Sequence, residues 1–393
     1  KYTQRPAQSA NAEHRRAAEV APLPALQAAL LPGPPEQAVD LGASSQLITR
    51  REALADMGGG LTVGALLPRA PTFPVSAHRA EDSGSIPAVM AGQGPVAPEL
   101  VGYFAGQLAG HYSADRFLGP MRLIPTAVSQ YELLCDVAGA AGASLRTDLW
   151  SVAAGYAALI GWLYQDGGDL DESARWHDVM IERAHRSHDV QLVAFALHCK
   201  AMLHADMNDG PGVLDLAGAG LRQQARLCPK ARVLLLQQAA HGLSLTHADD
   251  AAGECSRLLD EAAGLVDAID DDYPWGSNSR TPRYVDVQRA TIWTRLGHAR
   301  EALELWEQVI PDIPASSRRD LGVYRARQAQ ALAGAGEPRQ AVAIAGEIVP
   351  LVAQTGSARM RGELEGLRRA MRPWKNQPPG KALNEVLAGI GTA

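Results

Sequence analysis

Residues 284–311, YVDVQRATIWTRLGHAREALELWEQVIP, limit what this chain can fold into more than any other stretch. They read as a helix, a tight turn at Gly297, a second helix and a stop at Pro311. Ala290 and Ala302 stand twelve residues apart, with Trp293 and Gly297 between them and Trp306 after. Small residues at that spacing let two antiparallel helices approach closely, and the indoles fill the space beside them. One such hairpin cannot bury its own apolar face, so it requires neighbours stacked on it.

The rest of the chain supplies those neighbours. Residues 98–112 and 123–142 carry apolar 3.6-periods on either side of Gly119-Pro120, with Pro125 in the first turn of the second helix. Residues 148–164 and 170–183 flank a turn at Asp166-Gly167-Gly168. There Gly161, Tyr164, Gly168 and Ser173 take the small, aromatic, turn and small places. Three further pairs are predicted at 190–205 with 211–224, 231–245 with 251–266, and 321–333 with 339–353. A helix at 358–371 is placed to cap the last pair, and 382–390 adds a short one in the tail. This is the tetratricopeptide (TPR) pattern with an irregular period. The fold class expected is all-α: antiparallel TPR-like helix pairs in a right-handed superhelical array. Composition agrees, since 46% of residues are hydrophobic but only 5% aromatic, so Ala, Leu and Val make the core and favour helix.

Three regions are expected: a low-order Pro/Ala-rich leader and linker over 1–95, the helical repeat domain over 96–372, and a tail over 373–393. Within the leader, Arg50-Arg51 followed by a mildly apolar run resembles a twin-arginine export signal. Its internal position, the Gly58-Gly59-Gly60 break and Asp56 inside the run argue against export. A short helix in a linker, or a strand or helix docked on the following domain, is the plainer reading. The net charge of −6 provides no general attraction to nucleic acid or to an anionic membrane. The four cysteines form no CxxC and most sit in apolar helical patterns, as expected of reduced, packed thiols in a cytoplasmic protein. No run reaches the length a membrane span needs.

Motifs that carry chemistry are missing. His177 and His185 are eight apart on one helix, about 12 Å, too far to share a zinc ion, and His188 lies just beyond. There is no HExxH, no GxSxG, and no Gly-rich turn followed by GK[ST]. Asp270-Asp271-Asp272 lacks the ligand spacing of a calcium loop. No cofactor, metal site or catalytic residue is expected, and the chain is not read as an enzyme.

Surface recognition remains. In arrays of this kind the first helix of each pair lines the concave face. The candidate binding residues there are Trp162, Gln165, Lys200, His204, Gln238, His241, Tyr284, Gln288, Thr291, Arg295 and Arg325. Their amide, imidazole and cationic groups suit the polar groups of a peptide, protein or small signalling molecule. The same residues also serve as ordinary solvated helix formers. The long acidic connector from Asp270 to Arg280 is placed to cover or gate that face.

Several strings, in order, carry a resemblance: GHYSADRFLGPMRLIPT, GWLYQDGGDLDESARWHD, QQAAHGLSL, TPRYVDVQRATIWTRLGHAREALELWEQVIP, SRRDLGVYRARQAQALAGAGEP and AQTGSARM. Together they resemble the C-terminal half of actinobacterial helix-turn-helix (XRE-type) transcriptional regulators with TPR-like sensor regions. RREALADMGGGLTVGALLP resembles the linker behind their DNA-binding domain. The resemblance implies a cytoplasmic regulator whose repeat region senses a signal or partner, with a second copy of the chain among the possible partners. Residues 1–49 hold no helix-turn-helix signature, and the chain begins at Lys1 rather than Met. On this resemblance DNA is reached only through an upstream domain; the alternative is a standalone TPR adaptor or scaffold with no DNA-binding role.

Overall fold

The computed structural model describes residues 95–390 apart from 247, 271–272, 274, 277–282 and 315–316, with only the backbone of 116 and 117. All of these belong to one compact unit. The leader through residue 94, with its Arg50-Arg51 segment, lies outside the described residues. Among the described residues there are fourteen α-helices and no strand, so the chain is all-helical. The helices are α1 Glu99–Leu118, α2 Pro120–Ala140, α3 Ala143–Gly167, α4 Leu170–Arg186, α5 Val190–Asp206, α6 Gly210–Leu221 and α7 Pro229–Thr246. They continue as α8 Ala251–Val266, α9 Tyr284–Leu296, α10 Ala299–Val309, α11 Arg318–Gly334, α12 Pro338–Thr355, α13 Ala358–Ala370 and α14 Pro378–Ala388.

Six helix junctions use the same two-residue device. A residue in the left-handed region ends one helix, and the next residue stands at the N-cap of the following one. The pairs are Gly168-Asp169, His188-Asp189, Asn208-Asp209, Gly297-His298, Gly336-Glu337 and Gly356-Ser357. At Asp169, Asp189, Asp209 and Ser357 the side chain accepts from a backbone N–H of the new first turn, so an otherwise orphan donor is satisfied. His188, at φ 58°, is therefore a turn residue. Turns this short force consecutive helices antiparallel.

The helices form two layers. Even-numbered helices bury one face: α4 buries Ser173, His177, Met180 and Ala184, and α10 buries Ala302, Trp306 and Val309. Odd-numbered helices are covered on most sides, as α5 is from Gln191 to Leu203. Each odd helix touches the next odd one, and α13 then touches α3. Six inner helices, α3, α5, α7, α9, α11 and α13, thus form a closed ring. An ion cluster fastens the closure. Arg319 on α11 reaches Asp115 on α1 at 2.6 Å and Asp166 on α3 at 2.8 Å. The Ser357 hydroxyl donates to Asp166 at 2.6 Å. The three charged side chains are 13%, 10% and 1% exposed.

In the opening stretch Ala290, Ala302 and Trp306 are fully buried, and the Trp306 indole donates to Thr294 Oγ1 at 3.1 Å. Trp293 is half-buried, its ring 5.5 Å from that of His298. One local expectation needs correcting. Pro125 does not sit in a first turn, because α2 starts at Pro120, whose missing N–H is one the helix start would leave orphaned anyway. Pro125 lies inside the helix and leaves the Met121 carbonyl without its helical partner, at a residue that is 70% exposed. The C-terminal helix α14 packs against α12 and buries Leu383. No helix among the described residues is long and apolar enough to cross a membrane.

Candidate functional site

All six inner helices send polar side chains to the middle of the ring. Axes spaced ~9 Å apart in a six-membered ring lie ~9 Å from its centre, and a helix half-width is ~5 Å. The space left is narrow enough for inward side chains to meet and wide enough to hold water.

On α3, Gln165 Nε2 donates to Asp206 Oδ2 of α5 at 2.6 Å. Arg359 of α13 reaches the same oxygen at 3.4 Å and lies 4.9 Å over the Trp162 ring, a cation–π contact. On α9, residues 288, 291 and 295 share one face by their three- and four-residue spacing. His241 of α7 bonds Gln288 Oε1 through Nε2 at 3.0 Å, and its Nδ1 faces Arg295 Nη1 at 3.3 Å. A guanidinium only donates, so Nδ1 carries no proton and Nε2 does. Arg295 also donates to Ser244 Oγ at 2.9 Å. Thr291 Oγ1 accepts from Arg327 of α11 at 3.1 Å. Arg327 pairs with Glu363 of α13 at 2.7 Å, and Gln330 donates to Glu363 Oε2 at 2.8 Å.

The electrostatics follow from burial first. Burial, then the charge of Arg295, drives the His241 pKa down to about 3, so the ring is neutral. Burial, then the charge of Arg327, lowers Arg295 to about 10. Burial works against the Glu363 carboxylate, but the charge and hydrogen bonds of Arg327 outweigh it and hold the group below its usual range. Burial likewise opposes the Arg359 cation, and Asp206, Asp166 and Asp320 outweigh it. Deeply set as they are, Arg359, Asp206 and Glu363 keep 18%, 27% and 23% side-chain exposure, so water reaches the ring interior.

Of the sequence candidates, Trp162, Gln165, His241, Gln288, Thr291 and Arg295 join this network. Gln238 is buried on α7, with Oε1 lacking a partner, as Gln165 Oε1 does. Others are engaged elsewhere. Lys200 pairs with Asp178 of α4, and Arg325 pairs with Glu347 of α12 while bonding Gln328. His204 bonds the capping Asp209 at 2.8 Å, beside the turn to α6. Tyr284 packs into the core at the head of α9. Sequence reasoning missed Asp206, Arg327, Arg359 and Glu363. The available signal was the four-residue spacing of Arg359 and Glu363 on a helix read only as a cap.

Of the acidic connector, Trp275 is buried and stacks on Phe195 of α5 at 4.7 Å, while Asp271 and Asp272 lie outside the described residues. His177 is fully buried against Gly161, and neither ring nitrogen has a partner. Among the described residues no group of His, Cys, Asp and Glu is arranged to hold a metal ion. Neither a protein-family model nor a curated protein matches the chain.

Proposed function

We propose that the helical region is the signal-sensing and protein-interaction part of a transcriptional regulator. On this reading it is a TPR-like right-handed superhelical array in a cytoplasmic protein, and it reaches DNA through an upstream domain. The ligand is a peptide, a protein segment or a small signalling molecule with an anionic group, held among the inner helices. No catalytic step is involved.

The observation that carries the reading is Arg295. Among the described residues it has no carboxylate within ion-pair distance, and only the neutral Ser244 and His241 accept from it. Keeping a cation inside a fold is costly. Asp206 and Glu363 act on it only from beyond ion-pair distance and do not offset its burial, and an incoming anion paired directly with it relieves that cost. The unpartnered acceptors Gln165 Oε1 and Gln238 Oε1 suit the N–H or O–H groups of the same ligand.

Chromatin immunoprecipitation of the full-length native protein tests the regulator role, with enrichment at discrete promoters expected. A thermal-shift screen of anionic peptides and metabolites tests the site, with hits lost in Arg295→Gln. Promoter enrichment that fails while protein partners co-purify replaces the regulator with an adaptor. Hits unaffected by Arg295→Gln move the ligand off the inner ring.

A further inference from the structure

A second site lies where α13 ends and α14 begins. A 3-10 turn, Arg372–Trp374, joins the two regions, and a groove of about 340 Å³ opens beside it. Its floor is apolar and buried, made by Met371 and Leu383. Its walls carry Arg368, Arg369, Arg372 and Lys375, with the Glu365 carboxylate and the Asn384 amide at their side. From residue 366 to residue 384 the sequence has no Asp or Glu, although the chain as a whole has net charge −6. Only Arg368 is neutralised, by Glu365 at 2.8 Å. The guanidinium groups of Arg369 and Arg372 and the Lys375 ammonium make no hydrogen bond or ion pair among the described residues.

Local structure explains part of this charge. Arg368 and Arg369 stand in the last turn of α13, where cations offset the helix dipole. The first turn of α14 meets the same groove at Gly380, but Pro378 and Pro379 have no N–H, so the charge there comes from side chains. Gly380 is required there: a Cβ would lie 2.2 Å from the Trp374 carbonyl oxygen. Three unpaired cations therefore share one concavity. Like charges gathered this way repel unless a multivalent anion joins them.

We propose that this groove binds a small polyphosphate, a pyrophosphate or a molecule carrying one. Arg forks match phosphate oxygens in pairs, and Lys375 supplies a point charge. The volume is that of a small-ligand site. The site stands apart from the inner ring and does not depend on the function proposed for it.

Isothermal titration of the whole chain with inorganic pyrophosphate is the test, with sulfate and a short DNA duplex as comparisons. Pyrophosphate binds, sulfate binds more weakly, and added salt weakens both. Each charge-assisted bond lost weakens binding by about tenfold, so Arg372→Gln with Lys375→Gln costs about a hundredfold. Arg369→Gln alone gives the single-step loss. All three side chains are exposed, and an unchanged thermal melt checks folding. Arg295→Gln leaves pyrophosphate binding as it was. An absent pyrophosphate signal, equal binding by the double variant, or tighter binding of the duplex than of pyrophosphate overturns the proposal.

Discussion

Replacing Arg319 with Ala tests what fastens the two ends of the ring together. The change removes one cation and strands two carboxylates, Asp166 at 1% exposure and Asp115 at 10%. An exposed ion pair is worth ~0–1 kcal/mol, whereas removing one partner of a buried pair costs ~3–5 kcal/mol because the other charge stays behind. Asp166 still accepts from Ser357, which places the expected loss near the lower limit, ~3 kcal/mol. The loss also depends on pH. Burial raises the Asp115 pKa and Arg319 pulls it back; without Arg319 the value climbs further above its unfolded one. A carboxyl with a raised folded pKa contributes stability that is complete below the unfolded pKa and lost as pH rises through the folded value. The penalty of Arg319→Ala therefore shrinks between pH 7 and about pH 4. Urea titrations at both pH values measure it, and hydrogen exchange should show α1 and α13 opening first. A loss under ~1 kcal/mol at pH 7, or one that grows on acidification, refutes the reasoning.

Three further outcomes are expected. Ala302→Leu forces a larger side chain into a site with no exposure beside Trp306, and urea unfolding should show a loss of ~1–3 kcal/mol. His177→Leu removes two unpartnered buried nitrogens. Burial lowers its pKa to about 4, so the native state prefers the neutral ring and loses stability as pH falls from the unfolded value of ~6.5 toward 4. The variant should be at least as stable as the parent at pH 7 and less sensitive to acid, as read from Tm at pH 7 and 5. Gly168→Ala meets both a φ of 93° and the Ala358 Cβ at 2.9 Å, so a drop in Tm corresponding to more than ~1 kcal/mol should follow. An unchanged Tm would mean the α3–α4 turn relaxes freely.

The helices were legible because their signals are local. Apolar periods, Gly turns and Pro stops lie within a few residues of the elements they define. The turns at His188 and Asn208 were harder, since a His in the left-handed region looks like any polar residue until its φ is known. Closure of the ring was not legible at all. Arg319 and Asp166 are 153 residues apart, and nothing in either neighbourhood marks them as partners. The site divides in the same way. His241, Gln288 and Arg295 were found because each is polar on an inner helix. Lys200 and Arg325 fit that criterion equally, but their long side chains reach Asp178 and Glu347 on outer helices. Helical spacing assigns a residue to a side of its helix; it does not say which neighbour a flexible cation will choose.

An open row of stacked hairpins can be lengthened or shortened by whole hairpins, since its terminal faces need only a polar covering. A row in which α13 lies against α3 has a fixed membership. One hairpin more would push Arg319 past both carboxylates, and one fewer would leave it short of them. Closure thus ties the number of hairpins to the ion cluster, and duplication of a helix pair should yield a chain that folds poorly.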